Sequence, residues 1–125
     1  MNYENNKITI DQDGNKRTAE NLYMDGMEIF NFTITTVVSH IQYIIDKCGF
    51  PDRVVFHQAN RYMLEFMRKN LKIPKDKFLY SLGKYGNTSS ASIPLTLCSE
   101  LKQFENSNKT LLSGFGVGYS WGSVM

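Results

Sequence analysis

Two short polar motifs, each directly after an apolar run, contain the residues of this chain best suited to chemistry. One is residues 56–60, with His57, and the other is residues 86–92, with Asn87. An imidazole and a carboxamide each donate a hydrogen bond without carrying charge. They can therefore stabilise a developing oxyanion in an apolar pocket, where a buried ion is costly.

Each side chain also has a structural interpretation. A histidine that follows Val54, Val55 and Phe56 could be a hydrogen-bonded core residue. Asn87, which follows a glycine and precedes Thr88, could be a turn residue or a helix cap. Residue type and spacing leave both alternatives open. The other histidine, His40, has no accompanying motif and is expected to be structural or exposed.

The elements that position these motifs follow from the apolar pattern. Apolar residues at helical spacing predict three helices, of which the second has Met63, Leu64 and Met67 on its core face. The first helix begins at Asp25 and Gly49 follows it as a C-cap signal, and Pro94 is expected near the first turn of the third. The predicted helices are residues 25–48, 60–71 and 88–104, and the predicted strands are residues 54–56, 77–82, 110–115 and 119–124.

Alternating helices and strands predict an α/β fold with a mixed, mainly parallel sheet and helices on both faces, closed by one antiparallel strand. Ligands of such sheets collect where strands end and the next element begins. His57, Asn87 and Gly116 all fall at such positions. The polar residues 1–24 predict a loop with a small hairpin arm, and residues 25–125 form the predicted domain.

Composition limits the possible classes of protein. A chain of 125 residues that is 42% hydrophobic predicts one compact domain. The net charge is +2 and basic residues are scattered, which argues against a nucleic-acid partner. No apolar run approaches the ~20 residues that span a bilayer, and the polar start is unlike a signal peptide. We therefore expect a soluble, cytoplasmic protein with no membrane span.

The two cysteines, Cys48 and Cys98, do not form a disulfide framework or a zinc motif. Neither has the electropositive surroundings of a nucleophilic thiol, so both are expected to be ordinary reduced cysteines. We expect no metal ion and no bound cofactor.

Four segments together are more specific than any single residue. Residues 24–30, 56–60, 84–94 and 112–123 resemble the β-ketoacyl-acyl carrier protein synthase III family, also called 3-oxoacyl-ACP synthase III. The resemblance runs from about Tyr23 to the end of the chain. It implies the thiolase-like fold, which has two similar αβαβα halves in one subunit. This chain resembles the C-terminal half.

The resemblance also implies a site. The family's triad is cysteine, histidine and asparagine; His57 and Asn87 match the last two, and the cysteine lies in the N-terminal half. The backbone N–H of Val117 matches a second oxyanion donor, at a position where the family usually has glycine. The resemblance further implies a site for the acyl group and coenzyme A, formed by Asn60, Phe115, Gly116 and Gly118.

In the family, the cysteine takes an acyl group from a coenzyme A thioester, and malonyl-acyl carrier protein loses carbon dioxide and attacks it. The substrates implied are thioesters of coenzyme A or of the carrier protein's phosphopantetheine. The implied partners are acyl carrier protein, acyl-CoA, the missing N-terminal half and a second subunit of a homodimer. Without the cysteine, this chain is expected to be inactive alone.

Carrier-protein docking in the family uses basic residues at positions that align with Asn31 and Tyr62, so Arg61, Arg68 and Lys69 are the candidates here. The densest basic stretch is typical, as a local pattern, of a solvated helix face and a turn; it contains Arg68, Lys69, Lys72, Lys75 and Lys77. Met27 replaces an asparagine that contacts coenzyme A. Both general fatty acid synthesis and a dedicated lipid or polysaccharide pathway are compatible with the resemblance.

Two other functions stay open. One is acyl transfer to an alcohol or amine without decarboxylation, with His57 as general base. The other is a non-catalytic half-domain that associates with itself or a partner through an exposed apolar face.

Overall fold

The computed structural model describes residues 7–18, 20–21 and 24–125. A small antiparallel hairpin near the start pairs Thr9–Ile10 (β1) with Lys16–Arg17 (β2). The carboxylate of Asp11 holds its turn by accepting hydrogen bonds from the Asn15 N–H and the Arg17 Nε, both at 2.8 Å. The predicted hairpin is confirmed; residues 1–6, 19, 22 and 23 of the predicted arm lie outside the described residues.

The first predicted helix forms in three consecutive pieces. Asp25 caps it, accepting hydrogen bonds from the N–H groups of Met27 and Glu28. Thr33 is buried and donates its hydroxyl proton to the Ile29 carbonyl at 2.8 Å. The pieces are α1 (Gly26–Phe32), a π-helical turn (Thr33–Val37) and α2 (Val38–Cys48), and Gly49 ends the last at φ 86°.

The sheet at the centre of the domain has the strand order β3-β4-β5. β3 runs parallel to β4, with Phe56 opposite Ser113, and β4 pairs antiparallel with β5, with Phe115 opposite Trp121. The predicted mixed sheet is therefore present. Its strands are β3 (Arg53–Phe56), β4 (Thr110–Gly116) and β5 (Ser120–Val124).

Helices cover both faces of this sheet. α3 (Arg61–Asn70) and α2 pack on one face, where β3 and β4 contribute alternate residues to the core. α5 (Ser92–Ser99) lies on the other face, with its Ile93 side chain over Gly114 of β4, where an added Cβ would be 3.8 Å away. The core on the first face includes Val37, Ile41, Val54, Phe56, Leu64, Met67 and Leu111.

The predicted strand at residues 77–82 is wrong. A 3₁₀ turn (Lys75–Lys77) leads to a single parallel bridge between Val54 and Phe78. The backbone N–H groups of Ser81 and Leu82 then donate to the buried Gln58 side chain. Because a side chain takes these donors, the ladder stops, and α4 (Leu82–Tyr85) begins.

The third predicted helix is divided. α5 lies between two 3₁₀ turns, Ser89–Ala91 and Leu101–Phe104. Pro94 is the third residue of α5, where its missing N–H costs no helical hydrogen bond. Within the residues described, no helix combines the length and apolarity needed to cross a bilayer.

Candidate active site

The two polar motifs meet at one cavity beyond the ends of β3 and β4. The cavity has a volume of about 550 Å³, and both His57 and Asn87 line it. Three further predicted site residues, Asn60, Phe115 and Gly116, line the same cavity. The fold therefore brings together residues that are far apart in the sequence.

His57 is held at the end of β3 on three sides. Its backbone N–H donates to the Ser113 carbonyl at 2.8 Å, which continues the parallel ladder by one residue. Its Nδ1 lies 2.7 Å from the Ser92 hydroxyl, and its ring packs edge-to-face on Phe115 at 5.5 Å.

Burial lowers the pKa of His57 below the ordinary value of 6.5, and a hydrogen bond with the Ser89 backbone acts in the opposite direction. The net direction is downward because desolvation penalises the imidazolium. His57 is consequently a neutral imidazole at neutral pH, able to donate from one ring nitrogen.

Asn87 lies in the loop after α4, just past Gly86, whose φ of 69° lets the chain reverse. Its Oδ1 accepts a hydrogen bond from the Ser89 N–H at 2.9 Å. Ser89 itself has a left-handed backbone, φ 51°. Since the carboxamide oxygen is engaged, Nδ2 is the group that Asn87 presents as a donor; its contact with the Ala59 carbonyl is long, at 3.4 Å.

Gln58 connects the two motifs, and the sequence did not identify it as a site residue. Its side chain is fully buried; Nε2 donates to the Phe56 carbonyl at 2.8 Å, and Oε1 accepts from Ser81 N and Leu82 N at 3.0 and 3.2 Å. It thereby joins the end of β3 to the segment that leads to Asn87. A polar residue directly beside His57 after a buried strand was the available signal.

Asn60 begins α3 as its N-cap. Its Oδ1 accepts the Met63 N–H at 2.8 Å, which satisfies one of the unpaired donors of the first turn. Asn60 therefore has a structural role in addition to its place in the cavity wall.

The glycine-rich turn follows β4 directly. Gly116 lines the cavity, whereas Gly118 is exposed and is not among the lining residues. Val117 opens a 3₁₀ turn (Val117–Tyr119) whose left-handed positions are Gly118, at φ 72°, and Tyr119, at φ 50°.

The three predicted docking residues lie on α3 in different environments. Arg61 is exposed, with its guanidinium 4.0 Å above the Tyr80 ring, and Lys69 is exposed. Arg68 is engaged within the chain: it pairs with Glu65 at 2.9 Å and donates to the Ile73 carbonyl at 2.8 Å.

Neither cysteine belongs to the cavity. Cys48 and Cys98 are both exposed, free thiols, and neither is among the lining residues. The side chains that meet in the cavity are thus neutral donors and apolar walls.

Comparison with known proteins identifies the family. Residues 51–125, more than half of the chain, match the family model described as 3-oxoacyl-[acyl-carrier-protein] synthase III C terminal. The chain belongs to the 3-oxoacyl-[acyl-carrier-protein] synthase III family. The matched residues include both His57 and Asn87.

Two synthase III relatives show how much of the family this chain spans. It is 39% identical to beta-ketoacyl-[acyl-carrier-protein] synthase III of Streptococcus thermophilus over 90% of the chain and 37% of the relative. It is 42% identical to the protein of the same name from Streptococcus equi subsp. zooepidemicus, over 83% of the chain and 35% of the relative. The chain therefore spans little more than a third of their length.

Solved synthase III structures give the same result for the fold. A 2.1 Å crystal structure of 3-oxoacyl-(acyl-carrier-protein) synthase III superposes with a TM-score of 0.85 at 36% identity, covering 98% of this chain and 38% of that one. The synthase from Burkholderia xenovorans LB400 gives a TM-score of 0.77 at 44% identity, covering 83% and 32%. The fold is the C-terminal half of the thiolase-like synthase III fold, as the sequence predicted.

Proposed function

We propose that this chain supplies the C-terminal half of a condensing enzyme that joins an acyl thioester to malonyl-acyl carrier protein with loss of carbon dioxide. The observation that carries the proposal is the convergence of His57 and Asn87 on one cavity. A hydrogen bond on the far side of each polar group orients it: Ser92 at His57 and Ser89 at Asn87.

Two neutral donors suit the decarboxylation step. When the bond between the malonyl methylene carbon and its carboxylate breaks, carbon dioxide leaves and the electron pair becomes an enolate, with charge on the thioester oxygen. Donors fixed in advance around that oxygen stabilise the charge without reorganising. The lowered pKa of His57 keeps its ring neutral, so no charge is buried in the apolar cavity.

The enolate carbon then attacks the acyl-enzyme carbonyl. A new carbon–carbon bond forms, the bond from the acyl carbon to the cysteine sulfur breaks, and the thiolate leaves. The backbone N–H of Val117 is the proposed donor to the carbonyl oxygen, with Asn60, Phe115, Gly116 and Gly118 assigned to the acyl and coenzyme A site. Substrates arrive as phosphopantetheine thioesters, and no bound cofactor is required.

The nucleophilic cysteine belongs, in this proposal, to the N-terminal half of the synthase. Cys48 and Cys98 lie outside the cavity, and the chain matches only 37% of the S. thermophilus relative. We therefore expect no turnover from this chain alone.

For carrier-protein docking, Arg61 and Lys69 offer exposed cations, whereas Arg68 acts by holding Glu65 and the end of α3. A second subunit and the N-terminal half would cover apolar residues that are exposed on β5, such as Trp121 and Val124, which are 46% and 60% exposed. Removing that surface from water is the physical reason to expect a homodimer.

The test uses a chimera of residues 24–125 with the N-terminal portion of the S. thermophilus relative, which shares 39% identity. Condensation is measured as 3-oxoacyl-carrier protein formed from acyl-CoA and malonyl-carrier protein. His57→Ala or Asn87→Ala should lower the rate on the order of 100-fold or more, because each removes an oxyanion donor.

Gln42→Ala is the matched control, since Gln42 is exposed, bonds to Asp46 on its own helix and does not line the cavity. Parental rates in His57→Ala or Asn87→Ala would contradict the proposed roles. Ester formation from acyl-CoA without malonyl substrate would instead favour the acyltransferase with His57 as general base.

A further inference from the structure

Ser92, the first residue of α5, lies behind the catalytic face of His57. The residue is 1% exposed, and its hydroxyl contacts two groups of the neighbouring motif. Oγ is 2.7 Å from His57 Nδ1 and 3.3 Å from the backbone nitrogen of Gln58.

The protons available to these groups determine the direction of each hydrogen bond. A backbone N–H can only donate, so Ser92 Oγ accepts from Gln58. The hydroxyl has one proton of its own, and Nδ1 is its remaining partner among the described residues. If Nδ1 were protonated, the hydroxyl proton would have no acceptor in a buried position, which is unfavourable. The satisfied arrangement runs from Gln58 N–H to Ser92 O–H to Nδ1.

We propose that Ser92 is a positioning residue that fixes His57 as the Nε2–H tautomer, so that the ring nitrogen turned away from Ser92 presents a proton. In a neutral imidazole the proton occupies only one nitrogen, and the partner of the other nitrogen decides which. His57 then offers a donor to the cavity and not a lone pair.

This inference rests on the proposed function only for its catalytic meaning. An Nε2–H stabilises an enolate oxygen, whereas a general base would need its lone pair at the same position. Ser92 would thus bias the site towards decarboxylative condensation and against base-catalysed acyl transfer.

The tautomer is measured on the chain itself by long-range ¹H–¹⁵N correlation with ¹⁵N-labelled histidine, at a pH where the ring is neutral. The spectrum of His40→Gln assigns the two histidines. In the parent, His57 should have its proton predominantly on Nε2. Ser92→Ala should lower the ratio of Nε2–H to Nδ1–H by about fivefold, the factor that one net hydrogen bond supports.

Ser92→Thr keeps the hydroxyl and should keep the parental ratio, which separates the hydrogen bond from a packing effect. Ser113→Ala is the matched control: its hydroxyl is also buried but contacts Ser123, and only its carbonyl meets His57. Its ratio should be parental.

A parental spectrum with the proton on Nδ1 would overturn the inference, and this measurement needs no variant to fold. An unchanged ratio in Ser92→Ala, or an equal change in Ser113→Ala, would also overturn it. Because the readout is independent of turnover, an inactive chimera with the expected tautomer would contradict only the proposed function.

Discussion

Replacing Gln58 by alanine should destabilise the protein more than any other single loss of a polar side chain near the site. The side chain makes three hydrogen bonds, to the Phe56 carbonyl and the N–H groups of Ser81 and Leu82. Phe56 and Ser81 are essentially fully buried, at 0% and 1% exposure, so water cannot replace the lost partners there. Each buried group left unpaired costs about 1–3 kcal/mol, so two cost about 4 kcal/mol.

That loss is large compared with a total stability of about 5–15 kcal/mol. With a urea dependence of about 2 kcal/mol per molar, the unfolding midpoint should fall by about 2 M. Unfolding can be followed through the fluorescence of Trp121, whose ring packs 5.5 Å from Phe32. Hydrogen exchange provides a local readout, because the Ser81 and Leu82 amides should lose protection.

Gln42→Ala is the matched control. Gln42 is exposed, and its side chain bonds, among the residues that the structure describes, only to Asp46 on the same helix, at 2.8 Å. Its loss should change stability by no more than about 0.5 kcal/mol. If Gln58→Ala shifted the midpoint no more than Gln42→Ala, and left both amides protected, Gln58 would not be the connection between the two motifs.

Three further results are expected. The pKa of His57 is lowered in the folded state, so the unfolded chain binds more protons between the folded and unfolded pKa values, and stability should rise with pH through that window, up to about 6.5. Urea midpoints measured across this window should lose the pH dependence in His57→Gln. A parental slope in that variant would contradict the expectation. Asn60→Ala removes the cap on Met63 N–H and should cost about 1 kcal/mol in urea unfolding, while Asn60→Asp retains most of the stability. Gly118→Ala forces an alanine into a left-handed backbone at φ 72° and should lower the free energy of unfolding by about 1 kcal/mol. Gly116 has an extended backbone at φ 173° with open space for a Cβ, so Gly116→Ala should lower it clearly less. Equal thermal midpoints for the two variants would refute the difference.

The sequence predicted those elements whose pattern is local. The long first helix and α3 follow from apolar periodicity, with Asp25, Gly49 and Asn60 as recognisable ends. The strand predicted at residues 77–82 failed because its backbone donors bond to Gln58, a contact between segments that no local pattern contains. The π-helical turn at Thr33–Val37 was also missed, since the apolar positions around it keep an ordinary helical spacing.

The site was partly predictable because its two motifs are local patterns, whereas the contacts between them are not. His57 and Asn87 were recognised from their motifs, and the cavity brings them together. Ser92 belonged to the same motif as Asn87, but its hydroxyl gains meaning only from its distance of 2.7 Å to His57 Nδ1. Arg68 illustrates the converse, because its ion pair with Glu65 is invisible in a list of basic residues.

The most direct measurement of the central claim is the release of labelled carbon dioxide from malonyl-carrier protein by the chimera, with the label in the free carboxyl group. His57→Ala and Asn87→Ala should each lower release on the order of 100-fold or more, because both remove a donor to the same enolate oxygen. Gln42→Ala, which changes an exposed residue outside the cavity, should match the parent. Parental release from either cavity variant would show that the two side chains do not stabilise the enolate.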